Sequence, residues 1–126
     1  MDVRCQSAHA EARSLSGGNL QKFLVGREIA LKPKILIAAQ PTWGVDVGAA
    51  AAIRQELIRL RDSGVALLVI SDELEELFEV ADRMQVIFRG RLSPSLSRAE
   101  AGTATIGSYM TGGFLDRPVA AEAEAA

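Results

Sequence analysis

The residues best suited to chemistry sit in one short run, Leu15-Ser16-Gly17-Gly18-Asn19-Leu20-Gln21-Lys22. Adjacent glycines let the main chain approach a ligand closely. If a helix starts there, its free N–H groups and dipole suit an anion such as a phosphate. The Ser16 hydroxyl would add a donor. The same string also reads as a plain glycine turn capping a helix, so its neighbours must decide. A second cluster, Asp72, Glu73, Glu75 and Glu76, has no visible acid–base partner. It reads as the solvated first turn of a helix, favourable to the dipole, rather than as paired catalytic carboxylates. Cys5 and His9 are the only cysteine and histidine. One cysteine excludes an internal disulfide and a thiol-only metal site, and one histidine argues against zinc chemistry and a histidine-based triad. Both precede the patterned part of the chain and read as incidental. Trp43 reads as a loop residue at an interface, not as a base-stacking platform.

The chain has 126 residues, 48% of them apolar, and a formal net charge of -2. That suits one small domain with a buried core, or part of a larger one. No dense Lys/Arg tract supports binding to a nucleic-acid backbone. No stretch is long and apolar enough for a bilayer. Residues 1–13 carry Asp2 and Glu11 and no apolar core, unlike a signal peptide. One cysteine fits a reducing, cytoplasmic setting.

The elements that must position the glycine turn can be read from periodicity. Residues 1–14 form a polar leader without a clear period. From Ser16 the pattern is helical, with Leu20, Phe23, Leu24 and Leu31 on one face and Pro33 as the stop. Residues 34–39 are a continuous apolar run, which suits a strand buried on both faces. Gln40-Pro41-Thr42-Trp43-Gly44 is a loop. A helix is predicted from Val47 to about Asp62, with Ile53, Leu57 and Leu60 as its stripe and Ser63-Gly64 as its end. Residues 65–70 are a second apolar strand. Ser71 or Asp72 can cap a helix whose Leu74, Leu77, Phe78 and Ala81 share a face. Residues 84–88 read as a third strand, followed by an Arg89-Gly90 turn. A last helix is predicted over about 98–110, with Ile106, Tyr109 and Met110 inward, ended by Gly112-Gly113. The tail, residues 114–126, reads as disordered. Strands alternating with helices predict an α/β fold with a parallel sheet, whose chemistry lies at the carboxyl ends of its strands.

With these elements in order, Leu15-Ser16-Gly17-Gly18-Asn19 resembles the signature motif of ATP-binding-cassette ATPases, usually LSGGQ, in its Asn variant. An apolar strand and Pro41-Thr42 follow, as in that family's Asp-Glu-Pro-Thr strand. Gly44, Val45 and Asp46 match its D-loop, and residues 66–76 and 81–87 resemble its switch region. The resemblance covers about residues 12–93. It is most specific to the second cassette of the fused two-cassette ATPases of ribose-, galactose- and nucleoside-type importers. It implies the C-terminal half of a P-loop NTPase domain over residues 15–113.

The departures from the family pattern bear on activity. The magnesium-holding Asp falls at Ala39, which has no oxygen ligand. The catalytic Glu falls at Gln40, whose amide cannot act as a general base. The switch His falls at Asp72 or, one residue earlier, at Ser71. No GxxxxGK[ST] phosphate loop occurs anywhere in the sequence. The resemblance therefore implies no catalytic residue and no metal ligand in this chain, which alone is expected to be inactive. It implies that Ser16, Gly17, Gly18 and Asn19 contact ATP held by a partner cassette, with ATP and magnesium reached only through that partner. It further implies permease subunits as partners, at the inner face of the cell membrane. Two other readings stand beside it: a lobe of a DNA-repair or chromosome-structure ATPase, and a nonfunctional truncated remnant. The family places the phosphate-loop strand between the second and third strands found here. Residues 34–38 should then pair in parallel with 65–70, with residues 84–88 two strand spacings away, roughly 9–10 Å.

Overall fold

The computed structural model describes residues 2–115, in two compact units divided after Val80. In the first unit, a 3-10 turn at Ala12–Ser14 leads into α1 (Gly17–Ala30). Then come β1 (Ile35–Ala39), α2 (Val47–Asp62), β2 (Ala66–Ile70) and α3 (Leu74–Val80). The predicted pairing is present: β1 and β2 run parallel in register from Ile35 opposite Ala66 to Ala39 opposite Ile70.

Helix α2 follows its sequence pattern closely. Asp46 caps it, its carboxylate accepting from the Ala49 N–H at 2.8 Å. Ile53 and Leu57 are fully buried and, with Val80, make the core of this unit. Leu36, Leu67 and Val69 from the sheet and Val25 from α1 pack around them. At the far end Gly64 turns left-handed at φ +90°. Its N–H reaches the Arg61 carbonyl, and the Val65 N–H reaches that of Leu60. This paired closure satisfies carbonyls that the helix end would otherwise orphan.

The sheet is covered on one face only. Ile35, Ile37, Leu68 and Ile70 point the other way and are each more than half exposed. The expectation of strands buried on both faces is thus corrected for the described residues. The predicted stripe of α1 is also corrected. Phe23, Leu24 and Leu31 are exposed, and Val25 faces the core instead.

The second unit contains β3 (Arg83–Met84), β4 (Ile87–Phe88), β5 (Arg91–Leu92), β6 (Leu96–Ser97) and α4 (Thr103–Met110). The expected single strand over 84–88 does not form. β3 pairs antiparallel with β6, and β4 pairs antiparallel with β5. Ser93 is the reason for the break. Its N–H donates to the Val86 carbonyl, and its buried Oγ accepts from the Val86 N–H at 2.9 Å. Val86 is therefore committed to a hairpin. The Arg89-Gly90 turn is where the sequence put it, with φ +49° and +75°. Positive φ at both residues of a two-residue loop matches the twist of a hairpin.

Helix α4 begins later than predicted, at Thr103 after a Ser97–Ala101 turn. Ile106 and Tyr109 are buried as expected, whereas Met110 is exposed. Phe114 is buried and meets Tyr109 edge-to-face with centroids 5.5 Å apart. The folded part thus extends past 113, into what reads as tail. Residues 116–126 lie outside the described residues.

Candidate functional site

The glycine turn stands at the N-terminus of α1. Ser16 is its N-cap, in extended backbone, with its carbonyl accepting from the Leu20 N–H at 2.8 Å. Its Oγ accepts from the Asn19 N–H at 3.4 Å and from the Asn19 side-chain amide at 3.0 Å. The N–H groups of Gly17 and Gly18 lie in the first turn, where a helix supplies no carbonyl to receive them. Ser16 and Gly17 are exposed, and Gly18 and Asn19 are half-buried. An anion at this end of α1 would meet main-chain donors, the positive end of the dipole and one hydroxyl.

The structure brings Gly44, Val45 and Asp46 to this turn. A Cβ on Gly17 would lie 3.5 Å from the Gly44 carbonyl oxygen. One on Gly18 would lie 3.2 Å from both Asp46 Oδ2 and Ala49 Cβ, and 3.9 Å from Val45 Cβ. Gly18 is therefore small for packing against the start of α2 as well as for any ligand. Gly44 itself needs its left-handed φ of +70°. Asp46 has a structural role as cap, whatever else it meets.

Ala39, Gln40, Ser71 and Asp72 sit at or just beyond the carboxyl ends of the parallel strands. Ala39 ends β1 opposite Ile70, so Gln40 and Ser71 leave the same edge of the sheet. Gln40 is left-handed at φ +48°, and its N–H donates to the Ile70 carbonyl at 2.7 Å. Ser71 Oγ accepts from the Glu73 N–H, and Asp72 is exposed. A magnesium ion does not fit this edge, because Ala39 offers no oxygen and Gln40 offers only a neutral amide. Among the described residues no group of three or more His, Cys, Asp and Glu is placed to hold a metal ion.

Several residues that matter here carried no signal in the sequence. Gln21 Nε2 donates to the carbonyls of Gln40 and Pro41, tying α1 to the loop after β1. The Arg4 N–H donates to Asn19 Oδ1 at 2.9 Å, so the leader is attached to the turn. Cys5 lines the same surface depression as Ser16 and Asn19. Glu76 does not belong to a solvated first turn. It is 2% exposed, and neither carboxylate oxygen has a hydrogen-bond partner among the described residues. Asp72, Glu73 and Glu75 are exposed, as expected. Trp43 is 75% exposed. No helix among the described residues is long and apolar enough to cross a membrane.

No protein-family model matches the chain. Individual proteins do. The chain is 48% identical over 111 residues to the guanosine import ATP-binding protein NupO of Bacillus subtilis, covering 88% of this chain and 22% of that protein. It is 42% identical to the ribose import ATP-binding protein RbsA of Shouchella clausii, covering 90% of this chain and 23% of the relative. It is 46% identical to the nucleoside import ATP-binding protein NupA of Lactococcus lactis subsp. cremoris, with 91% and 23% covered. The chain thus spans less than a quarter of the length of these curated relatives. Among solved structures it is similar to the ATP-binding cassette MJ0796 in a dimeric post-hydrolysis state bound to ADP and Pi. That match has a TM-score of 0.66, 26% identity, and covers 72% of this chain and 39% of the other. The ADP conformation of the cassette MJ1267 matches at a TM-score of 0.60 and 25% identity, over 79% and 37% of the two chains. The sequence relatives and the shared fold agree with the glycine turn, the Pro41-Thr42 loop and the strand order: the chain is a segment of the ATP-binding-cassette family, homologous to part of the ATP-binding proteins of sugar and nucleoside importers.

Proposed function

We propose that the chain works within an ATP-binding subunit of an importer of simple sugars or nucleosides, as part of its second cassette. In this reading Ser16, Gly17, Gly18 and Asn19 face ATP held on the phosphate loop of a partner cassette. The observation that carries it is the open N-terminus of α1, with two glycines held against the Gly44–Asp46 loop. That end supplies donors to a phosphate and no group that could cut it. Asp46, exposed beside Gly18, then lies at the contact between cassettes. Permease subunits carry the solute, and the assembly places this segment at the inner face of the membrane. The relatives are named as guanosine, ribose and nucleoside importers, which supports the solute class.

The chain's own residues do two things in this mechanism. They orient the γ-phosphate through hydroxyl and main-chain N–H donors, which costs no reorganisation at the moment of reaction. They also close the site to water from one side. The general base and the magnesium ligands come from the partner, since Gln40 and Ala39 supply neither.

The test uses an importer ATP-binding protein carrying this segment, assembled with its permease. Ser16→Ala should lower ATP turnover by roughly 100-fold or more, the scale seen when a transition-state donor is removed, while ATP still binds the partner's phosphate loop. Unchanged turnover would reject the role in trans. The purified 126-residue chain should show only background hydrolysis with ATP and magnesium. Turnover that responds to substitution at Ala39 or Gln40 would show that it carries its own active site.

A further inference from the structure

The Asn variant of the signature has a specific consequence in this chain. Asn19 uses both ends of its amide. Its Nδ2 donates to Ser16 Oγ at 3.0 Å, and its Oδ1 accepts from the Arg4 N–H at 2.9 Å. The two bonds fix which way the amide faces, because a main-chain N–H can only donate. Ser16 Oγ is then an acceptor twice over, from Asn19 Nδ2 and from the Asn19 N–H. A hydroxyl has two acceptor sites and one proton. With both acceptor sites used, the proton is what Ser16 has left to offer, and it has no acceptor among the described residues. Arg4, Cys5, Gln6, Leu15, Ser16 and Asn19 line an open cavity of about 300 Å³ around this point.

We infer that Asn19 is a positioning residue, latched by the main chain of Arg4, that turns the Ser16 hydroxyl into a donor for the phosphate of the bound nucleotide. This rests on the signature reading proposed above and adds the leader to it. If Arg4 leaves, the Asn19 amide is free to flip. Its Oδ1 then accepts the Ser16 proton, and the donor is lost to the ligand. The leader residues 4–6 are thus part of the signature site rather than an incidental lead-in.

The experiment uses the full chain with two readouts by NMR: amide hydrogen exchange at Arg4, and titration with inorganic phosphate followed at the Gly17 and Gly18 amides. Asn19→Ala should speed Arg4 exchange by about 3- to 10-fold, the worth of one modest hydrogen bond. Ser16→Ala and Asn19→Asp should leave it within about twofold, since each keeps an acceptor for Arg4. Exchange within α2 should stay the same in all variants, which separates release of the latch from unfolding. Phosphate should bind more weakly to Ser16→Ala and to Asn19→Ala by similar factors, and the double variant should lose no more than either, because the two residues act as one unit. Equal Arg4 exchange in the wild type and Asn19→Ala overturns the latch. Additive losses in the double variant overturn the action through Ser16. If phosphate leaves Gly17 and Gly18 unmoved in the wild type, the donor role given to Ser16 here is overturned, and Arg4 exchange still decides the latch.

Discussion

Gly18 and Glu76 show how single atoms set the limits at the residue scale. Gly18 drew attention as a point of close approach to a ligand. Its nearest neighbours are in fact Asp46 Oδ2 and Ala49 Cβ, each 3.2 Å from where a Cβ would stand. Ala49 is buried and its N–H holds the Asp46 carboxylate, so a Cβ there would press on both. Gly18→Ala should therefore destabilise the chain by about 1–3 kcal/mol, the usual penalty of overpacking. Gly18→Asp should cost more, by setting a carboxylate beside that of Asp46. Urea unfolding checks both, and a wild-type midpoint in Gly18→Ala would mean that α2 can shift aside. Glu76 runs in the opposite direction. An unpaired carboxylate at 2% exposure loses its hydration and receives nothing in return. Glu76→Gln should raise stability by about 1–3 kcal/mol, read from the same urea curves. A loss of stability would reveal a partner that the carboxylate needs. Neither feature was legible in the sequence. Gly18 meets residues far along the chain, and Glu76 stands among three other acids that are all solvated.

At the scale of elements, legibility followed length and period. Helix α2 was readable from Val47 to Asp62, because Ile53 and Leu57 of its stripe and its Ser63-Gly64 stop agree with the structure, whereas its Asp46 cap is seen only in the fold. The 84–88 segment was not, because two-residue strands carry no period of their own. Its pairing is decided by Ser93, a buried hydroxyl that only the fold reveals. In the same unit Gly112 was read correctly as a stop, and the structure adds why it must be glycine. It sits at φ +90°, and a Cβ there would be 2.7 Å from the Phe88 ring. Gly112→Ala should thus destabilise this unit by about 1–3 kcal/mol, from the left-handed backbone and the clash together. Near-ultraviolet circular dichroism of Tyr109 during melting would record it, and an unchanged melting curve would count against the packing described. The Ser97–Glu100 turn before α4 gives a pH prediction. The Ser97 hydroxyl and, less strongly, its N–H bind the Glu100 carboxylate at 2.6 and 2.8 Å and hold its pKa below the usual range of a glutamate. A depressed carboxylate contributes stability that is present above its unfolded pKa and lost as pH falls through its folded pKa. The turn should therefore persist through the usual carboxylate range and loosen only as pH falls below it. A carbon-detected NMR titration of Glu100 would show a midpoint below that of an unperturbed glutamate, and Ser97→Ala should move it back up.

For the molecule as a whole, the governing fact is the sheet face that nothing described here covers. Sequence reading recognised β1 and β2 as fully apolar and inferred cover on both faces, which is what such strands demand. Only Leu36, Leu67 and Val69 find it, against α2 and Val25. Ile35 at 68%, Ile37 at 64%, Leu68 at 53% and Ile70 at 52% exposure form a contiguous patch, since Ile37 pairs with Leu68 and Ala39 with Ile70. The outer edges of both strands are also free of partners among the described residues. A flat apolar face bounded by open edges is a template for association. The physics separates two effects of changing it. Ile37 and Leu68 contribute little to the internal core, so replacing them should cost little folding energy. They contribute much to what other molecules can grip. Ile37→Thr with Leu68→Thr should therefore leave the urea midpoint nearly unchanged, because Thr has the β-branched shape that strands favour. The pair should lower binding of an apolar dye and slow concentration-dependent aggregation of the chain. A fall in stability of more than about 1 kcal/mol, above the usual range for surface changes, would mean that these side chains are buried in the folded chain. Unchanged dye binding would mean that the association surface lies elsewhere.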